Sequence, residues 1–266
     1  MITYEASDSI TILTINRPQK KNALDLATLK ELRTALMNAR DDEQVKVIIL
    51  TGAGNDSFCA GADLKGGSSS PVSYAEAFFR ETDKASEQGL YIRMMDLTDL
   101  NIHKPLIAAI NGYCLGGGLE IALQCDLKIA SDNAIFGLPE AKVASIPAVL
   151  GLHRLLKAVP PAHAMKMALT GESIKAMKAL DIGLISDIFT AQDLMPEALK
   201  IAQRISSNGP LATQAIKKLS KITGHLSDID AQQITELYWG ILRDTEDRIE
   251  GRQAFMEKRA PKYKGK

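Results

Sequence analysis

The stretch Leu106-Ile107-Ala108-Ala109-Ile110-Asn111-Gly112-Tyr113-Cys114-Leu115-Gly116-Gly117-Gly118-Leu119-Glu120 decides how this chain is read. Leu106 to Ile110 is a short, continuous apolar run, the pattern of a buried strand. Three glycines follow, and a helix is predicted from about Leu119 to Gln124. Twenty residues after Glu120 a second carboxylate stands in Phe136-Gly137-Leu138-Pro139-Glu140. Upstream lies another turn, Phe58-Cys59-Ala60-Gly61-Ala62-Asp63-Leu64. Two turns that can present N–H groups, with two carboxylates, are the parts needed to hold a carbonyl oxygen and move protons beside it.

A glycine turn between strand and helix also suits a nucleotide, and two fingerprints test that. GxGxxG placed on Gly116 and Gly118 requires glycine at 121, where Ile121 stands. A P-loop placed on Gly112 and Gly117 requires Lys and Ser/Thr next, where Gly118 and Leu119 stand. Both fail. Two readings remain for the glycines: an N–H pocket at a helix N-terminus, or glycines that only let helix and strand pack closely. Glu120, in the first turn of that helix, favours the pocket over a solvent-facing carboxylate. Spacing alone does not bring Glu120 and Glu140 together.

Working outward, Ser9 to Asn16 reads as a strand, with Ile10, Ile12, Leu13 and Ile15 among β-branched threonines. Asn22 is expected to cap a helix running to about Arg40, carried by Leu29, Leu32 and Leu36. Val45 to Thr51 is another buried strand, and residues 52–56 form a loop. Residues 65–71 are rich in Gly and Ser, and 73–100 read as helix, broken near Gly89. Short strands are expected over 127–130, 134–136 and 185–189. Pro160-Pro161 separates two segments. From Asp193 onward the pattern is helical, with breaks near Gly209-Pro210 and Gly224. No internal repeat of fixed period is visible. Strands alternating with helices, then helices alone, predict an α/β core over 1–192 and a helical region over 193–266.

The 266 residues suffice for a sizeable core. Lys+Arg and Asp+Glu balance at 32 each, which argues against a nucleic-acid partner or an anionic membrane surface. No apolar run approaches the ~18 residues of a membrane span, and the first residues lack the features of a signal peptide. Cys59, Cys114 and Cys125 form no even framework and show no CxxC spacing, so a reduced, cytoplasmic setting is expected. The four histidines lack ligand spacing, and no metal is expected. The end of the chain is locally basic, with Lys258, Arg259, Lys262, Lys264 and Lys266.

Five stretches in order resemble the enoyl-CoA hydratase/isomerase (crotonase) superfamily, with the hydratases the nearest match. They are Asn16-Arg17-Pro18 with Asn22-Ala23-Leu24; Phe58 to Leu64; Lys104 to Gly112, running into Gly116 to Glu120; Phe136 to Glu140; and the tail from Glu246-Asp247 to Arg259. The resemblance implies a spiral of ββα units with a C-terminal helical region that makes a trimer or a dimer of trimers. It implies that the N–H groups of Ala62 and Gly117 form an oxyanion hole for a thioester, and that Glu120 and Glu140 are the catalytic acid/base pair. It places Ala60, Asp63, Leu64, Lys65, Ala23 and Leu24 along coenzyme A, with Tyr263 near the adenine. Coenzyme A is then part of the substrate, and no separate cofactor is expected.

The implied reaction is reversible addition of water across a 2-enoyl-CoA. A double-bond isomerase, a dehydratase of a specialised acyl-CoA and a non-catalytic acyl-CoA binder are the alternatives. Two departures from the hydratase pattern stand out. Ile146-Pro147-Ala148-Val149-Leu150-Gly151 replaces a glycine-rich stretch, and the segment from Lys65 to His103 is longer than in short-chain hydratases.

Overall fold

The structure is a computed structural model that describes residues 1–63 and 91–266. The expectation for 65–71 and most of the helix expected over 73–100 lie outside the described residues; where the latter enters them the expectation is corrected, because the chain forms two short 3₁₀ turns, Tyr91–Met95 and Thr98–Leu100, and no α-helix.

The chain opens with a hairpin of β1 (Ile2–Ser7) and β2 (Ile10–Ile15), paired antiparallel. Asp8 and Ser9 at its tip have φ of 48° and 66°. Two left-handed turn residues match the twist of the flanking strands. Only β2 was legible, because β1 is mostly exposed at the sheet's edge.

Helix α1 (Leu26–Asp41) buries Leu29, Leu32 and Leu36. Its cap is Asp25, whose carboxylate accepts from the Thr28 amide at 2.8 Å. The expectation of an Asn22 cap is corrected. Asn22 is fully buried at φ 55°, accepts from Arg17 N at 2.9 Å, and donates to Ala53 O and Ser57 O at 3.0 and 2.6 Å. It stitches three loops together, a long-range role that local sequence does not reveal.

Next come β3 (Val47–Gly52), β4 (Ser57–Cys59), β5 (Leu106–Ile110), β6 (Tyr113–Leu115) and α2 (Gly117–Ala122). Then follow β7 (Leu127–Ser131), β8 (Ile135–Gly137), α3 (Gly151–Ala158), α4 (Pro161–Thr170), β9 (Ile174–Lys175), α5 (Ala176–Asp181) and β10 (Asp187–Phe189). Pro161 opens α4, where its missing N–H removes no helical bond.

Among the described residues, one sheet runs β1-β2-β3-β5-β7-β10 and a second runs β4-β6-β8-β9. The strand pairs β3/β4, β5/β6 and β7/β8 each give one member to either sheet, and all inter-pair ladders are parallel. This is the spiral of ββα turns. Each turn changes sheet at a tight corner. At the β5–β6 corner Asn111 accepts from Gly52 N at 3.2 Å and donates to Gly52 O and Gly54 O at 2.8 and 2.6 Å, locking it to the β3–β4 corner. A Cβ on Gly112 would lie 2.2 Å from Asp56 backbone atoms, so only glycine permits this approach.

The large sheet is buried on both faces, which is why β3 and β5 read as unbroken apolar runs. Ile48, Leu50, Ala108 and Ile110 join the core with α1 and Phe58. Val47, Ile49, Ile107, Ala109 and Ile129 pack on Leu194, Ala198 and Ala202 of α6 (Leu194–Ser206).

Helices α7 (Pro210–Thr223), α8 (Asp228–Arg243) and α9 (Glu246–Glu257) complete the chain. Helix α7 is anchored by Lys217, whose buried ammonium meets Asp126 and Lys104 O, each at 2.7 Å. Helix α8 has no buried residue in the single chain. The basic tail folds back along α9: Asp247 accepts from the Lys264 and Gly265 amides at 2.6 and 2.8 Å. Glu250 takes Arg259 in a two-pronged contact at 2.6 and 2.9 Å and accepts the Lys262 amide at 2.8 Å. Among the described residues no helix is long and apolar enough to cross a membrane.

Candidate active site

The two turns singled out in the sequence meet at the seam between consecutive turns of the spiral. Gly61 has φ 98°, and a Cβ there would lie 3.2 Å from Gly117 N. Gly118 passes so close to β4 that a Cβ would fall 2.1 Å from Cys59 O. The glycine run thus packs closely on β4, and the same approach brings the Gly117 amide beside Gly61.

Ala62 forms an isolated parallel bridge with Leu24. Leu24 N donates to Gly61 O at 2.8 Å and Asp63 N donates to Leu24 O at 2.9 Å. In such a bridge the N–H of the intervening residue points away from its partner. Neither the Ala62 nor the Gly117 amide has an acceptor among the described residues. The turn is held from behind. Ala60 N donates to Lys21 O at 3.0 Å, and Arg17 Nη2 bridges Asp25 and Asp63 at 2.9 and 3.1 Å. Tyr91 donates its hydroxyl to Asp63 O at 3.2 Å.

Glu120 lies on α2, three residues after Gly117, and is 3% exposed. Its Oε1 accepts from the amides of Val149 at 2.8 Å and Gly151 at 3.0 Å. Burial pushes its pKa up. The two amides and Arg154 pull it back, and Asp96 adds to the rise.

Glu140 opens a 3₁₀ turn (Glu140–Val143) just beyond β8. Gly116 N donates to Gly137 O at 2.9 Å, and this bond ties the glycine run to the strand that delivers Glu140. A Cβ on Gly116 would sit 3.1 Å from Glu140 Oε1. The other oxygen, Oε2, is buried without a hydrogen-bond partner. Burial raises the Glu140 pKa to about 6; its own amide opposes this, and the charge of Glu120 adds to it. Two carboxylates thus share one place in unlike surroundings, one gripped by amides and one with an orphaned oxygen.

Ala62, Gly117, Glu120 and Glu140 are brought together. Ala23 and Ala60 flank the same turn. Leu24 is fully buried, and its N–H and C=O are both engaged by the turn. Tyr263 lies elsewhere, against Gly209 and Gly251 among the C-terminal helices, in a cavity of about 640 Å³ shared with Trp239 and Phe255. Leu64 and Lys65 lie outside the described residues. The buried thiols of Cys59 and Cys125 are pushed up to about 12, which removes them as nucleophiles. Among the described residues no cluster of three His, Cys, Asp or Glu can hold a metal.

Three contributors were not legible in sequence. The amides of Val149 and Gly151 hold Glu120, yet every residue type except proline supplies an amide. Met95 packs where a Gly117 side chain would go, with Sδ 2.4 Å from the ideal Cβ position. Arg154 reaches Asp96 Oδ1 at 2.9 Å and Val149 O at 2.8 Å, joining the segment around Met95 to the loop that grips Glu120. The only sequence signal was the unusual Ala148-Val149-Leu150.

Comparison with known proteins identifies the family. The family model described as enoyl-CoA hydratase/isomerase matches residues 5–266. The chain is 42% identical to (E)-benzylidenesuccinyl-CoA hydratase of Thauera aromatica, over 99% of both chains. It is 39% identical to carnitinyl-CoA dehydratase of Proteus mirabilis (strain HI4320), over 97% of this chain and 96% of that one. An enoyl-CoA hydratase crystal structure from Bacillus anthracis superposes with a TM-score of 0.89 at 35% identity, covering 100% of this chain and 99% of that one. One from Mycobacterium tuberculosis H37Rv gives 0.86 at 34%, with the same coverage. The chain belongs to the enoyl-CoA hydratase/isomerase family and has the crotonase fold.

Proposed function

We propose that this family member is a hydro-lyase, adding water reversibly across the 2,3 double bond of a substituted 2-enoyl-CoA. The observation that carries the reading is the unlike pair of glutamates beside two unengaged amides. An isomerase needs one group to shuttle a proton; water chemistry employs two, in different protonation states. The names of the hydratase and dehydratase relatives point the same way and favour a substituted acyl group over a plain one.

The Ala62 and Gly117 amides receive the thioester oxygen, where charge gathers as the enolate-like transition state forms. Two fixed donors there supply roughly 3 kcal/mol each. Glu120, kept in place by Val149 and Gly151, takes a proton from water as the water oxygen bonds to C3. Glu140, whose surroundings favour its protonated form, gives its proton to C2. The pair begins with one proton on Glu140 and ends with one on Glu120. Dehydration runs the same steps backwards.

The C-terminal helices support assembly into a homotrimer or a dimer of trimers, as α8 and α9 leave Leu237, Trp239 and Phe255 at least 60% exposed.

The test is direct. Incubation with 2-enoyl-CoA thioesters, including branched and aryl-substituted ones, should bleach the conjugated-thioester absorbance and yield 3-hydroxyacyl-CoA. Growth of that absorbance from a 3-enoyl-CoA, with no hydration, would make the protein an isomerase. Saturable binding without either change would make it a binder.

A further inference from the structure

Arg93 stands in the 3₁₀ turn Tyr91–Met95, and its Nη1 is buried without a hydrogen-bond partner. It lines a cavity of about 220 Å³ together with Asp96, Asp99, Ala148, Val149 and Leu150. The two aspartates are already occupied: Asp96 by Arg154 and Thr98, Asp99 by Arg33. Arg93 has no comparable partner among the described residues. A guanidinium nitrogen withdrawn from water and left unbonded is costly, and such groups in folded proteins call for an explanation.

The turn that carries Arg93 is braced. Arg33 Nη1 donates to Met94 O and Asp96 O at 3.2 and 2.8 Å. Gln124 donates to Met95 O at 2.9 Å and accepts from Leu97 N at 2.7 Å. Two residues at or near this wall reach the candidate site. Met95 packs on Gly117, and Val149, which lines the cavity, donates its amide to Glu120. Through Val149 the cavity adjoins the loop that holds Glu120.

We infer that Arg93 receives a carboxylate carried by the acyl part of the thioester, so that the substrate is a dicarboxylic acyl-CoA. The inference rests on the hydro-lyase reading, since it names the substrate class of the same site. A planar guanidinium suits a carboxylate through two parallel N–H donors. A cationic acyl group is disfavoured, because the aspartates that would face it are already paired.

Binding of saturated, unreactive thioesters tests this without turnover. Succinyl-, glutaryl-, adipoyl- and methylsuccinyl-CoA are compared by calorimetry with butyryl-, valeryl-, hexanoyl- and 2-methylbutyryl-CoA. At least one dicarboxylic member should bind about tenfold tighter than its alkyl partner, the scale of a charge-assisted hydrogen bond. Arg93→Gln should bring that pair to near parity with the alkyl Kd unchanged, and Arg93→Lys should keep part of the preference. No dicarboxylic preference in the wild type would overturn the proposal, as would equal losses for both classes in Arg93→Gln. Tighter binding of 4-aminobutyryl-CoA than of butyryl- or succinyl-CoA would also overturn it. The wild-type comparison stands even if a variant fails to fold. A carboxylate preference without hydration of any enoyl-CoA would sink the hydro-lyase reading and leave the anion site intact.

Discussion

Val149 donates its backbone amide to Oε1 of Glu120 at 2.8 Å. With Gly151 on the same oxygen, the carboxylate is aimed by main chain alone. Glutamine keeps that acceptor but cannot take a proton from water. Glu120→Gln should therefore fold normally, bind saturated acyl-CoA with little change, and lose about 10²-fold or more in kcat. Glu140→Gln should lose a similar amount. Steady-state kinetics beside calorimetric binding checks both; near-wild-type turnover in either variant removes that residue from the mechanism.

The pH profile follows from the proton count. Hydration starts with one proton on Glu140 and ends with one on Glu120, so both directions use the singly protonated pair. Adding water releases no net proton, so hydration and dehydration should show the same pH dependence in kcat/KM. Its alkaline limb should begin at about 6, where Glu140 loses its proton in the free enzyme. Different limbs in the two directions, or kcat/KM constant from acid to well above neutrality, would contradict this proton inventory.

Stability should carry a mark of the same group. The Glu140 pKa is raised to about 6 from an unfolded value near 4.5. The folded state therefore favours the protonated form, and stability is lost as pH rises through about 6. Glutamine is neutral at every pH. Glu140→Gln should raise stability above pH 7 by about 1 kcal/mol after allowing for the partial exposure of the site, seen as a higher thermal midpoint, and change little at pH 4. Equal effects at both pH values would mean that the carboxylate charge is not what the fold resists.

The glycines should separate by what they touch. Gly118→Ala drives a Cβ into the Cys59 carbonyl at 2.1 Å, a rigid contact, and should cost about 2–3 kcal/mol or prevent folding. Gly117→Ala meets the thioether of Met95, which can swing aside. It should fold yet lose turnover as the wall beside the Gly117 amide shifts. Denaturant melts and kinetics on the two proteins check the order; a more stable Gly118→Ala would refute the packing.

Association should be measurable in solution. Light scattering should give three or six times 28.8 kDa. Paired Trp239→Lys and Leu237→Lys replacements on the exposed face of α8 should shift the protein toward monomer. A stable monomer in the wild type would end the proposal of a trimer.

How much could be read beforehand varied with the source of each constraint. Strands β2, β3 and β5 were legible because both faces of their sheet are buried. Strand β8 was legible over 134–136, but β4, β6 and β9 are two or three residues long and too short to show a period. Their alternation between two sheets, which makes the spiral, lies in pairing and not in residue type. Glu120 and Glu140 stood out as residues, but their convergence depends on the Gly116–Gly137 hydrogen bond. Asn22 was misjudged because its amide serves loops more than thirty residues away in sequence.

The grip on Glu120 has an evolutionary consequence. Every residue but proline supplies the amide at 149, whereas 151 must stay glycine because a Cβ there would lie 2.6 Å from Glu120 Oε1; residues 148, 149 and 150 line the neighbouring cavity. Mutations there can retune which acyl groups fit without disturbing the carboxylate's aim, apart from whatever the left-handed backbone at Leu150 (φ 61°) will tolerate. Substrate range is thus free to drift while the chemistry is inherited, and lineages built this way can diversify without first losing activity.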